Sequence, residues 1–164
     1  MLLEQIAVLP ALYTRVFLPP AVVTELQDLE APAEVRAWVA NLPAWCEVRR
    51  PAPLGETETL ANLGAGEREA ILLAQELRAD VLLIDEEDGR QAAWSRALTV
   101  TGTLGILERA AERGLLDLPR TLAQLLTTTF RVRDELIQST FRTLCPGVMR
   151  VFRECPQAKL GPTI

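Results

Sequence analysis

The side chains with the most chemical reach in this chain are carboxylates. Asp85-Glu86-Glu87-Asp88 directly follows the apolar run Val81-Leu82-Leu83-Ile84. Glu25 stands shortly after Pro19-Pro20, and Glu67 shortly after Gly64-Ala65-Gly66. Most other catalytic groups are absent from the sequence. There is no histidine, which removes Ser-His and Cys-His pairs and imidazole-bound metals. The single lysine, Lys159, follows no glycine-rich turn, so there is no P-loop. Ser95 and Ser139 are the only serines, and neither sits in a GxSxG. Cys46, Cys145 and Cys155 lack a CxxC spacing and read as reduced thiols. Catalysis, if the chain performs any, falls to carboxylates, and clustered carboxylates usually act through hard cations such as Mg²⁺ or Mn²⁺.

The elements that position these acids can be read from periodicity. Val81–Ile84 is four apolar residues rich in strand formers, which suits a parallel strand buried on both faces. In open α/β sheets ligands bind beyond the carboxyl ends of strands, so Asp85 and Asp88 stand where a site is expected. Asp85 also has a plain alternative, capping a helix. Gly66 is placed at a helix cap, with Glu67 and Glu69 in the first turn, where the partly positive N-terminus favours acids. Ile71, Leu72, Ala74 and Leu77 then recur at helical spacing. The spacing predicts a helix over residues 1–16, divided by Pro10, and a strand at 16–18. A helix is predicted from Ala21, just after the prolines, which carries Glu25 in its first turns. Further strands are expected near 46–49 and 98–101, with helices from Pro32 to Ala40 and up to Arg113, where Gly114 is the stop. Residues 51–66 read as loop. Thr121–Leu126 and Arg133–Leu144 read as helices, and Val148–Phe152 as a possible strand. Strands alternating with helices predict a mainly parallel sheet covered on both faces.

Composition adds bounds. The chain has 164 residues, 49% of them hydrophobic and 24% charged, which suits one soluble domain with a core of its own. No apolar run reaches the roughly 20 residues of a membrane helix, and no signal peptide opens the chain, so a cytoplasmic protein is expected. The net charge of −5 is uneven, because the residues from Phe130 onward carry an excess of arginine. Such an end suits phosphate or an acidic partner as readily as plain solvent. Aromatics make up only 5% of the chain, so Arg68 or Arg90 on phosphate is a more natural nucleic-acid contact than base stacking. Trp38, Trp45 and Trp94 read as core or interface residues.

Several short motifs follow one another in a recognisable order. They are Leu18-Pro19 with Val22–Leu26, then Gly66-Glu67-Arg68-Glu69-Ala70-Ile71, then Leu83-Ile84-Asp85 with Gly89-Arg90. Val100-Thr101-Gly102-Thr103-Leu104-Gly105, Arg113-Gly114-Leu115-Leu116 and Phe130-Arg131-Val132 come next. The set resembles the PIN-domain nucleases, and most of all the PIN-like branch related to bacterial toxins. The resemblance implies a three-layer α/β/α sandwich with a mainly parallel sheet over residues 1–144, followed by an irregular tail at 145–164. It implies a Mg²⁺- or Mn²⁺-dependent ribonuclease of the kind that serves as the toxin of a toxin–antitoxin pair, with RNA as substrate and an antitoxin as protein partner. Glu25, Glu67 and Asp85 match three acidic positions of that family, with Asp88 as a further metal ligand. The family also opens with a strand ending in an aspartate, which has no counterpart ahead of Glu25, where the only acid is Glu4. Weak metal affinity and impaired cleavage are therefore expected, and so is a homodimer that covers strand edges left open. The alternative is a non-catalytic PIN-like module that binds RNA or protein.

Overall fold

The computed structural model describes residues 6–52 and 60–125. The expected helix at 133–144, the strand at 148–152, the tail, Cys145, Cys155 and Lys159 lie outside the described residues. The chain divides into two compact units after Leu115.

In the first unit, α1 (Leu9–Leu12) gives way to β1 (Val16–Leu18), then α2 (Pro20–Leu26), α3 (Ala33–Ala40) and β2 (Cys46–Val48). After residue 60 come α4 (Ala65–Leu77), β3 (Leu82–Leu83), α5 (Glu87–Trp94), β4 (Val100–Thr101) and α6 (Thr103–Glu112). The helix expected to reach residue 16 is cut short. Pro10 falls in the first positions of α1, and Tyr13 is already extended at φ −133°, ψ 136°. α2 begins as the paired prolines predict, with Pro20 as its first residue, a position where the missing N–H costs nothing.

Among the described residues all four strands pair in parallel. Val16 pairs with Cys46 and Leu18 with Val48; Leu82 pairs with Val100 and Leu83 with Thr101. These are two two-stranded sheets, in the orders β1-β2 and β3-β4, instead of one continuous sheet. Among the described residues β1 and β3 do not pair with each other. The expected alternation of parallel strands and helices is present, but the strands span only two or three residues each.

The core lies around α4 and β3. Leu60, Leu63, Ile71, Ala74, Leu82, Ile84 and Ala93 form one buried cluster, with Leu98 and Val100 packed against it. The strand at 82–83 departs from the expectation of burial on both faces. Leu82 and Ile84 are buried, while Leu83 is 47% exposed. Side chains alternate across a strand, so one face meets the core and the other carries Leu83 outward. α4 ends on Arg78, which takes the left-handed conformation at φ 49°, and the turn after α6 uses Gly114 at φ 70°.

Of the second unit, α7 (Leu118–Leu125) is described. Asp117 accepts the Arg120 N–H at 2.9 Å and so caps it, while Leu118, Leu122 and Leu125 are buried.

Candidate functional site

Three acids of the first unit stand where helices begin, and each lies beside a glycine of another element. Glu67 is the third residue of α4. Its Oε2 accepts the Gly64 N–H at 3.1 Å, so the cap is Gly64, two residues before Gly66, the cap expected from sequence. That bond is one half of a capping box, and Gly64 has no side chain to supply the other half. The second oxygen, Oε1, points under α5. It is buried and, among the described residues, has no hydrogen-bond partner. Gly89 makes this placement possible: a Cβ there would overlap Glu67 Oε1 and meet Ile84 Cδ1 at 2.5 Å.

Glu25 comes from α2 and reaches the same helix start. Its Oε1 accepts the Gly66 N–H at 3.1 Å. A Cβ on Gly66 would sit 2.6 Å from Glu25 Oε2, so the close approach depends on glycine. Glu69, for which no role was expected beyond the first turn, fixes α2 in place. Its Oε2 accepts the Ala21 N–H at 2.8 Å and thereby tethers the opening of α2, one turn ahead of Glu25.

Burial raises the Glu67 carboxyl above the ordinary range, the bond from Gly64 opposes this, and the charges of Glu86, Asp88 and Glu25 add to the rise. An oxygen without a donor, held among like charges, is where a cation would gain most. Oxygen-only ligands suit a hard divalent ion, so the donor chemistry fits Mg²⁺ or Mn²⁺. The geometry is open, however: among the described residues no three His, Cys, Asp or Glu form a ready group for a metal ion.

Asp85 is placed differently. Its Oδ1 accepts the Thr103 N–H at 2.8 Å and its Oδ2 accepts the Thr103 hydroxyl at 2.5 Å. It therefore caps α6, eighteen residues on, instead of α5 directly after it. Gly102 leaves room for this, since a Cβ there would come within 2.8 Å of Asp85 Oδ1 and 3.1 Å of Arg90 Nη1. Arg90 thus lies beside Asp85, and its guanidinium also stacks 5.3 Å from the ring centre of Trp94. Trp94 is half exposed, so of the two places expected from sequence, core or interface, it does not take the core. Trp38 and Trp45, by contrast, pair with each other at 6.3 Å. The structure so gathers Glu25, Glu67 and Asp88 into one electrostatic group, with Glu86 as an added member. Asp85 is committed to Thr103. Arg68 is half-buried on α4.

The PIN-domain family matches residues 2–144. No curated protein and no solved structure matches the chain.

Proposed function

The chain belongs to the PIN-domain family, and from that premise we propose that it hydrolyses phosphodiester bonds in RNA with Mg²⁺ or Mn²⁺ held by Glu25, Glu67 and Asp88. The observation that carries this reading is the buried, partnerless Oε1 of Glu67 among the charges of Glu25, Glu86 and Asp88. A divalent cation supplies charge stabilisation at phosphate and lowers the pKa of a bound water. The protein's own share is positional. The Gly64 and Gly66 N–H groups orient the Glu67 and Glu25 carboxylates, and Gly89 leaves the space that Glu67 enters. Arg90, beside Asp85, is placed to meet a phosphate, and the Trp94 ring beneath it offers a face for a base. Each Asp85 oxygen accepts one bond from Thr103 and keeps a further lone pair with which it could join the metal ligands. With no three-ligand group formed in advance among the described residues, metal affinity is weak and cleavage by this chain is slow. The reading takes the cytoplasm as the place of action, with an antitoxin as the protein partner.

A second reading is favoured by Asp85 itself. With both oxygens used to cap α6, the chain would be a non-catalytic PIN-like module that binds RNA or protein. Incubation of a labelled single-stranded RNA with the 164-residue chain in Mn²⁺, beside Glu67→Gln, separates the two. Slow cleavage that needs Mn²⁺ and is lost in the variant supports hydrolysis. Binding without cleavage, equal in both proteins, supports the module.

A further inference from the structure

The helices that carry Glu25 and Glu67 both lack a capping side chain of their own. The first N–H groups of a helix have no partner within it and commonly turn to a side-chain oxygen at the cap. The cap of α2 is Pro19 and that of α4 is Gly64, and neither residue has such an oxygen. Each helix takes an acceptor from the other instead. Ala21, the second residue of α2, donates its N–H to Glu69 Oε2 of α4 at 2.8 Å. Gly66, the second residue of α4, donates its N–H to Glu25 Oε1 of α2 at 3.1 Å. On each helix the donor and the glutamate stand about one turn apart, so both meet the same neighbour.

The two bonds close a ring. It runs from Ala21 across to Glu69, along α4 to Gly66, across to Glu25 and back along α2. In a ring this short, loosening one crossing frees the other. Glu25 has little else to hold it. Its side chain is exposed, and among the described residues its carboxylate accepts a hydrogen bond only from Gly66. It lies close against that backbone, since a Cβ on Gly66 would meet Oε2 at 2.6 Å and Oε1 at 2.8 Å. The place of Glu25 therefore follows the place of α2, and Glu69 holds the opening turn of α2.

We propose that Glu69 is a positioning residue. Through the Ala21 N–H it sets α2 so that the Glu25 carboxylate stays on Gly66, in the place from which it would hold Mn²⁺ beside Glu67. The part played by Mn²⁺ rests on the function proposed above; the placing of Glu25 does not. What Glu69 contributes is an acceptor oxygen at the right reach, and not its charge.

Two variants of the 164-residue chain separate reach from charge. Glu69→Gln keeps an acceptor oxygen at the same length and loses the charge. Glu69→Asp keeps the charge and is one methylene shorter. Amide hydrogen exchange is followed in EDTA at Gly66, with Ile71, fully buried in the same helix, as the reference for overall stability. The expected result is exchange at Gly66 about fivefold faster in Glu69→Asp, the factor that one ordinary hydrogen bond carries, with Ile71 unchanged. Glu69→Gln should match the parent chain. Mn²⁺ titration of the same proteins should show affinity lowered about fivefold in Glu69→Asp and kept in Glu69→Gln. No change at Gly66 in Glu69→Asp overturns the proposal, as does equal behaviour of the two variants. Faster exchange at Ile71 along with Gly66 overturns it too, because Glu69 then supports the fold as a whole. Faster exchange at Gly66 without loss of Mn²⁺ affinity overturns the link from Glu69 to the metal. A parent chain that binds no Mn²⁺ refutes the metal reading instead, and the exchange at Gly66 still decides whether Glu69 places Glu25.

Discussion

Glu67→Gln should make the protein more stable at neutral pH, although it removes a hydrogen-bonded acid. Oε1 of Glu67 is buried without a donor, and an unsatisfied buried polar group costs about 1–3 kcal/mol. The neutral amide keeps an oxygen for the Gly64 N–H and turns its NH₂ toward Glu25, Glu86 and Asp88, where a donor is welcome. Against this, the bond from Gly64 loses its charge assistance, which is worth about 1 kcal/mol. The net gain is about 1 kcal/mol, reduced from the upper figures because the rest of the side chain is partly solvated. For a domain of this size that corresponds to a rise in Tm of about 2–4 °C. The sign follows from linkage. The folded state holds the Glu67 proton more tightly than the unfolded state does, because burial comes first and like charges add to it. The favourable contribution of Glu67 is therefore complete below the unfolded pKa of about 4.3 and is lost as pH rises through the higher folded value. Urea melts of both proteins in EDTA, from pH 3.5 to pH 7.5, should show the stability gap opening with pH. A variant less stable than the parent at pH 7.5, or a gap that does not change with pH, would refute the reasoning.

Gly89→Ala drives a methyl group into Glu67 Oε1 and Ile84 Cδ1; a loss of about 1–3 kcal/mol is expected by denaturant titration, along with loss of any Mn²⁺ stabilisation. Asp85→Ala removes both bonds to Thr103, so thermal melts without metal should show a loss of about 1 kcal/mol, as for other helix caps. Trp94→Ala removes the exposed ring beneath Arg90 and should weaken binding of single-stranded RNA by about 1–3 kcal/mol in anisotropy titrations, with melting unchanged.

The local features of this fold were legible in the sequence, and the features that depend on distant residues were not. The prolines before α2, the strand at 16–18, the acid in the first turn of α4 and the stop at Gly114 follow from neighbouring residues, and the structure agrees. The cap of α4 moved from Gly66 to Gly64 because Gly66 serves another purpose, admitting Glu25 to its N–H. Hydrophobicity alone gave Leu83 a buried place, but burial depends on what packs over it, and no periodicity reports that. For Asp85 both readings were visible, ligand or cap. The helix it caps lies across a strand and eighteen residues on, a tertiary fact. The partnerless oxygen of Glu67 depends on α5 lying close above α4, which a sequence shows only as a glycine at position 89. The single parallel sheet expected from the alternating pattern divides into two pairs, because pairing needs adjacent edges and not only strand-forming residues.

The most direct measurement is calorimetric titration of the 164-residue chain with Mn²⁺ at pH 7.5, beside Glu67→Gln and Glu25→Gln. The expected result is weak, saturable binding to the parent chain that is lost in Glu67→Gln and reduced in Glu25→Gln. Binding of equal strength to all three proteins, or none to the parent chain at millimolar Mn²⁺, would contradict the assignment of this carboxylate group as a metal site.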